Sequence, residues 1–288
     1  MKRSSGSEQA GKKKVRWQQS SYGTLVPGMR GLMVSCVRGR EQQCAKEMLG
    51  LLNDYVAKLY PNASNDKTAA SSATSSSPVE SIEDAIAREL AELQEHDQKE
   101  SKQMQQLQLF PKMADCMLFI RTRAPVDPVQ ITTAIMADIL NNGQKNTRVT
   151  ERVHPLAFSC NADIEAISTM AKQYLSEAIK PSEAPEGSSG EDAEVKPKTY
   201  KVMPKIRLNT TVNRDELIKA IARAVPSHAQ VDLIDPDYAI IVEVFKGVCG
   251  ISVLTNYNNY QRYNMQMLFS KASSSDAKQA ADSNDNND

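Results

Sequence analysis

Val231-Asp-Leu-Ile-Asp-Pro-Asp-Tyr-Ala-Ile-Ile-Val-Glu-Val-Phe-Lys-Gly-Val-Cys-Gly-Ile-Ser-Val-Leu254 is the densest β-branched stretch of the chain. Two runs, Tyr238–Phe245 and Val248–Leu254, flank Lys246-Gly247. With a strand period of two, Ile240, Val242 and Val244 share one face, and Ile241, Glu243 and Phe245 share the other. Lys-Gly suits a short turn because glycine accepts a positive φ. Asp235-Pro236-Asp237 stops whatever precedes it and opens a turn. The stretch therefore predicts a β-hairpin buried on at least one face.

Strands and helices alternate upstream of it. Arg30–Val37 reads as a strand and Glu41–Tyr60 as a helix, with Cys44, Met48, Leu51, Leu52, Tyr55 and Leu59 at helical spacing and Pro61 ending it. Arg38-Gly39-Arg40 between them is a solvated turn or a phosphate contact at a helix start. Residues 62–80 form a Ser/Ala-rich insertion, and 81–109 read as a long, mostly polar helix. Cys116–Arg123 is a strand expected to pair with Leu32–Val37. Asp127-Pro128 caps a helix that runs to Leu140 and ends at Asn141-Asn142-Gly143. The segment 144–160 reads as one strand, Asp163–Ile179 as a helix, and Thr199–Thr211 as a strand that Pro204 confines to an edge or a bulge. Asn213 caps a helix over Arg214–Val225.

The pattern gives an α/β chain of mixed sheets with helices. Its divisions are a disordered basic arm over 1–29, a lead-in unit over 30–123 with its insertion at 62–80, a second unit over 127–265, and a disordered tail over 270–288. A hydrophobic content of 40% with aromatics at 5% is thin for one globule of 288 residues, which favours polar arms and insertions outside the core.

Charge and composition exclude several classes. The net charge is +0, so nucleic-acid binding must come from a local patch. The five cysteines are scattered and form no CxxC, which points to reduced intracellular thiols and away from a metal site. No run of apolar residues spans a bilayer, and the basic N-terminus is not a secretory signal. Gly-rich cofactor loops, HExxH and GxSxG are absent from the sequence, so no cofactor and no small-molecule substrate are expected. His154 and Cys160 lie six residues apart in one predicted strand, roughly 20 Å, too far for proton transfer.

The constellation that stands out is basic. Lys145, Arg148 and Arg152 lie in or before a strand, with Arg152 and His154 expected on the side of Arg148. Lys198, Lys201, Lys205 and Arg207 form a second cluster, Lys246 tips the hairpin, and Arg262 sits among Tyr257, Tyr260 and Tyr263. Brought together, these residues would make a cationic surface framed by tyrosines, suited to a phosphate backbone and stacked bases. Lys145, Arg148, Arg152, Lys201, Lys205, Arg207, Lys246 and Arg262 are the expected RNA contacts. Set against this is a set of solvated surface charges. Lys12-Lys13-Lys14 near Trp17 reads as a nuclear import signal or a phosphate contact.

The order Val-Asp-Leu, Asp-Pro-Asp-Tyr, Ile-Val-Glu-Val and Val-Cys-Gly-Ile-Ser-Val resembles the end of a THUMP domain, an RNA-binding module. The segment 144–160 looks like the first strand of that module, and the block 30–123 resembles the ferredoxin-like lead-in found before it. Arg30-Gly-Leu-Met-Val-Ser-Cys36 and Asn256-Tyr-x-x-Tyr-x-x-Tyr-Asn-Met-Gln266 make the chain similar to stand-alone THUMP proteins of the Tan1 type, eukaryotic tRNA acetylation adaptors. The resemblance implies a non-catalytic protein that binds serine and leucine tRNAs and presents them to a separate RNA acetyltransferase, which forms N4-acetylcytidine. It also implies a nuclear or nucleolar location, with the cytoplasm as a further one. The alternatives are a stand-alone RNA-modifying enzyme and a protein scaffold that binds no RNA.

Overall fold

The computed structural model describes residues 24–61, 106–144, 146–181 and 196–284, with side chains as far as 274. The basic arm, the insertion and most of the helix expected over 81–109 lie outside these residues.

The chain runs β1 (Arg30–Cys36), α1 (Glu41–Leu59), β2 (Leu107–Ala114), β3 (Met117–Thr122), α2 (Pro128–Asn142) and β4 (Thr150–Leu156). These strands form one antiparallel sheet in the order β2-β3-β1-β4. A β-α-β-β-α-β succession in this order is a ferredoxin-like unit. The expected pairing of the strand after residue 116 with β1 is present, with Val34 opposite Leu118. The unit also takes α2 and β4, which the sequence pattern places with the second half. It takes β2 as well, where a helix is predicted through Leu109. Leu107, Phe110 and Met113 of β2 are buried, and strand pairing with β3 decides the conformation there.

The predicted strand 144–160 is two strands. β4 ends at Leu156, and β5 (Phe158–Asn161) joins a different sheet. Ala157 is the crossing point, and its N–H is donated to the Ile251 carbonyl at 3.0 Å. The second sheet continues with α3 (Ile164–Ala178), β6 (Lys198–Arg207), α4 (Arg214–Ala224), β7 (Ala229–Val231), β8 (Tyr238–Phe245) and β9 (Val248–Thr255), in the order β5-β9-β8-β6-β7. β6 runs parallel to both β7 and β8, and the remaining pairs are antiparallel. A 3-10 turn (Gln261–Tyr263) leads into α5 (Met265–Asn284). Among the described residues, no helix is long and apolar enough to cross a membrane.

The β8–β9 hairpin has the register expected, Phe245 opposite Val248, but the left-handed backbone falls on Lys246 (φ 50) and not on Gly247. Both faces of the hairpin are buried. Ile240, Val242, Val244, Ile251 and Val253 pack under α3 and α4. Ala239, Ile241 and Leu254 of the opposite face join a core with α1, α2, α5 and the inner face of the first sheet. At the tip, Phe245 and Val248 pack on Met33, Phe119 and Leu156 of the first sheet's outer face. The second sheet therefore shares a core with each face of the first. The helix ends follow local chemistry. Asp127 Oδ1 accepts the N–H groups of Val129 and Gln130 at 2.8 Å, and Gly143 terminates α2 with φ 59. Asp163 and Asn213 cap α3 and α4 in the same way.

Candidate nucleic-acid interface

Alternation along β6 places Lys201, Met203, Lys205 and Arg207 on the sheet face that points away from α3 and α4, since Tyr200, Val202 and Ile206 pack in the core beneath those helices. The parallel register sets Lys205 beside Glu243 of β8. On the first sheet, Met33 pairs with His154 and Ser35 with Arg152. Where the two sheets meet, Met33, Ser35, Met117, Arg152, His154, Lys205, Arg207 and Glu243 line one small crevice.

Glu243 is the hub of this crevice, with only 2% of its side chain exposed. Its Oε1 lies 2.6 Å from His154 Nδ1 and 3.7 Å from Lys205 Nζ, and its Oε2 accepts from Arg207 Nη1 at 3.2 Å. Lys205 Nζ is 3.1 Å from His154 Nδ1 and 3.4 Å from Nε2. An ionised carboxylate only accepts, so Nδ1–H is donated to it, and the Lys205 ammonium lies against the same edge of the ring. Burial pushes the His154 pKa down, Lys205 and Arg152 push the same way, and the pull of Glu243 does not restore it. Burial works to raise the Glu243 carboxyl. The hydrogen bond from His154 and the charges of Lys205 and Arg207 outweigh it, so the group stays below its ordinary pKa. Burial brings Lys205 down to about 8, helped by Arg152 and Arg207 and opposed by Glu243. Near neutrality the cluster holds Arg152, Lys205 and Arg207 as cations against one carboxylate and a neutral imidazole, an excess of positive charge at a site open on one side.

The other expected contacts distribute around this group. Lys246 follows it directly: its N–H is donated to the Arg207 carbonyl at 3.1 Å, and its ammonium sits over the Phe245 ring. Arg262 lies in the turn whose neighbour Asn264 bridges to Arg152, and both arginines act on Tyr257. Lys201 shares the face of Lys205 but lies roughly 13 Å back along the strand, its Nζ held by the Leu233 carbonyl at 2.7 Å. Arg148 is not on the side of Arg152. A register shift between Ser35 and Cys36 breaks the alternation, and the Arg148 N–H is held by Glu47 of α1 at 2.8 Å. Lys145 lies outside the described residues.

The tyrosine frame is absent. Tyr257, Tyr260 and Tyr263 are 4%, 8% and 0% exposed and pack on one another in the shared core, so they offer no ring to a base. Their spacing of three matches the inward face of the turn before α5. Two members of the cluster were under-read in the sequence. Glu243 has a signal, because it is the one charge within Tyr238–Phe245. Ser35 has none, because only the pairing of β1 with β4 brings it to Arg152.

Residues 161–254, which run from the end of β5 through β9, match the THUMP domain. The chain carries a THUMP domain. It is 29% identical to THUMP domain-containing protein 1 of Bos taurus over 91% of this chain and 69% of that protein. It is 27% identical to the Saccharomyces cerevisiae protein named tRNA acetyltransferase TAN1, over 86% of this chain and 88% of that one. The solution structure of the THUMP domain of THUMP domain-containing protein 1 aligns at 30% identity with 32% of this chain and 85% of that domain, with a TM-score of 0.25. The THUMP domain supplies Lys205, Arg207 and Glu243, while Arg152 and His154 come from the ferredoxin-like unit before it.

Proposed function

We propose that this protein is a tRNA-binding adaptor that presents tRNA to a separate RNA acetyltransferase for N4-acetylcytidine formation. The observation that carries the RNA half of this reading is the convergence of Arg152, Lys205 and Arg207, from two sheets, on one crevice, where Lys205 and Arg207 share a single carboxylate. A cluster of this charge at an open crevice suits the phosphates of a nucleic-acid backbone. The likeness to a yeast protein named for tRNA acetylation supports tRNA as the RNA and an acetyltransferase as the partner. Serine and leucine tRNAs, and a nuclear location served by Lys12-Lys13-Lys14, belong to the same proposal.

Filter binding of tRNA over a salt series tests the RNA half. Affinity should fall steeply with salt, and Arg152→Gln and Arg207→Gln should each flatten the slope by about one unit. A salt-independent affinity overturns the reading. The relative's name also favours a second reading, in which the chain itself transfers the acetyl group. Purified chain incubated with tRNA and acetyl-CoA separates the two. Acetylated cytidine formed without a partner establishes the enzyme, and formation only after an RNA acetyltransferase is added establishes the adaptor.

A further inference from the structure

We infer that the mouth of the crevice between the two sheets is a proton-linked phosphate site, in which Lys205 and Arg207, with Arg152 behind them, hold one backbone phosphate and Lys205 takes up a proton as that phosphate binds. This rests on the tRNA-binding reading and adds to it where one phosphate sits and how pH governs the grip.

The geometry comes first. The crevice is walled by β1 (Met33, Ser35), β3 (Met117), β4 (Arg152, His154), β6 (Lys205, Arg207) and β8 (Glu243), so neither sheet completes it alone. Arg152 Nε is buried without a hydrogen-bond partner, a donor left over at the crevice wall. Arg207 is 36% and Lys205 22% exposed at the side chain, whereas Glu243 and His154 lie at the floor at 2% and 3%. An anion entering from solvent therefore meets the cations before the carboxylate. Glu243 cannot neutralise all three, and it is already divided between Arg207, His154 and Lys205. Dianionic and monoanionic phosphate oxygens are the ligand class that a Lys–Arg–Arg group of this kind recognises.

Among the described residues, the charged or titratable groups facing Lys205 are Glu243 from β8, His154 and Arg152 from β4, and Arg207 from its own strand, with Ser35, Met33 and Met117 adding no charge. Of these, Lys205 is the group that changes charge just above neutrality, because its pKa stands at about 8. The arginines stay charged, and His154 and Glu243 titrate lower. The sign follows. Below about pH 8 Lys205 carries its charge and the site accepts the anion at full strength. Above it the charge is lost and the grip weakens. A bound phosphate favours the ammonium form and raises the lysine's pKa, so binding in this range draws a proton from solution.

The test is tRNA binding from pH 6.5 to 9.5 at fixed salt, for wild type and Lys205→Arg, with titration calorimetry in two buffers of different ionisation enthalpy. The wild type should bind about tenfold more weakly at pH 9.5 than at pH 7, through loss of one charged contact. It should take up about half a proton near pH 8 and almost none at pH 6.5. Lys205→Arg keeps the charge and should flatten the profile and abolish the proton uptake while still binding. tRNA binding with no pH dependence, or a dependence that survives in Lys205→Arg, overturns the inference and leaves the tRNA reading intact. No tRNA binding at any pH overturns the reading beneath it. Should Lys205→Arg misfold by circular dichroism, the proton uptake of the wild type decides alone: none near pH 8 refutes the site.

Discussion

Replacing Glu243 examines the centre of the crevice by stability. Its carboxylate is 2% exposed and meets His154 at 2.6 Å, Arg207 at 3.2 Å and Lys205 at 3.7 Å. Removing one partner of a buried charge group costs about 3–5 kcal/mol, because the charges left behind are unpaired. Two routes reduce that figure in Glu243→Gln. The amide oxygen still accepts the His154 Nδ1–H, which keeps a hydrogen bond of about 1 kcal/mol. Lys205, already at about 8, loses the one neighbour that raises its pKa and can shed its proton near neutrality. The expected loss is about 2 kcal/mol for Glu243→Gln and about 4 kcal/mol for Glu243→Leu, which also strands the imidazole donor. Urea unfolding followed by circular dichroism measures both, provided the m-value is unchanged. The double variant Glu243→Gln with Lys205→Met should lose less than the sum of the single losses, with a coupling of about 1 kcal/mol or more. If both Glu243 variants lie within about 0.5 kcal/mol of wild type, the cluster contributes no stability and its assigned geometry is wrong.

Gly31→Ala should be severely destabilising, by about 3 kcal/mol or more, because a Cβ there would stand 2.2 Å from the Ile120 carbonyl oxygen and 2.8 Å from the Arg121 Cα, both backbone atoms. A thermal melt reads this as a drop of roughly 6–12 °C. Asp127→Ala removes the acceptor for two helix N–H groups and a half-exposed ion pair with Arg30, and should cost about 1–2 kcal/mol by chemical denaturation, mostly through the lost cap. Stability should also respond to acid. The His154 pKa is depressed in the folded state, so the unfolded chain binds the extra proton. Stability is therefore complete above about pH 6.5 and falls below it, at up to about 1.4 kcal/mol per pH unit from this one group. His154→Gln should remove that part of the slope in denaturation curves taken at pH 7, 6 and 5. The depressed Glu243 carboxyl adds a second loss below about pH 4.5 with the same sign.

What could be read directly was local. The alternation in Tyr238–Phe245 and Val248–Leu254, the turn at Lys246-Gly247 and the caps at Asp127, Asp163 and Asn213 concern groups a few residues apart, where sterics and hydrogen bonding have a fixed period. The errors arose where pairing overrode that period. Leu107–Leu109 continues a helical pattern yet is claimed by β3. The strand expected over 144–160 divides at Ala157 because its halves find different sheets. The register shift at Ser35 and Cys36 turns Arg148 away from Arg152.

The sequence by itself determined the hairpin, most of the helices and local clusters of basic residues in a neutral chain. Only the tertiary structure decided which of those residues meet. His154 and Glu243 are separated by 89 positions and Lys205 and His154 by 51, and they touch because β4 and the β6–β8 pair lie on either side of one seam. Periodicity reports which face a side chain takes on its own strand. It does not report which other face lies opposite, because that is set by how two sheets bury their remaining apolar surface against each other. The same packing drew Tyr257, Tyr260 and Tyr263 into the core and left the cations at the opening.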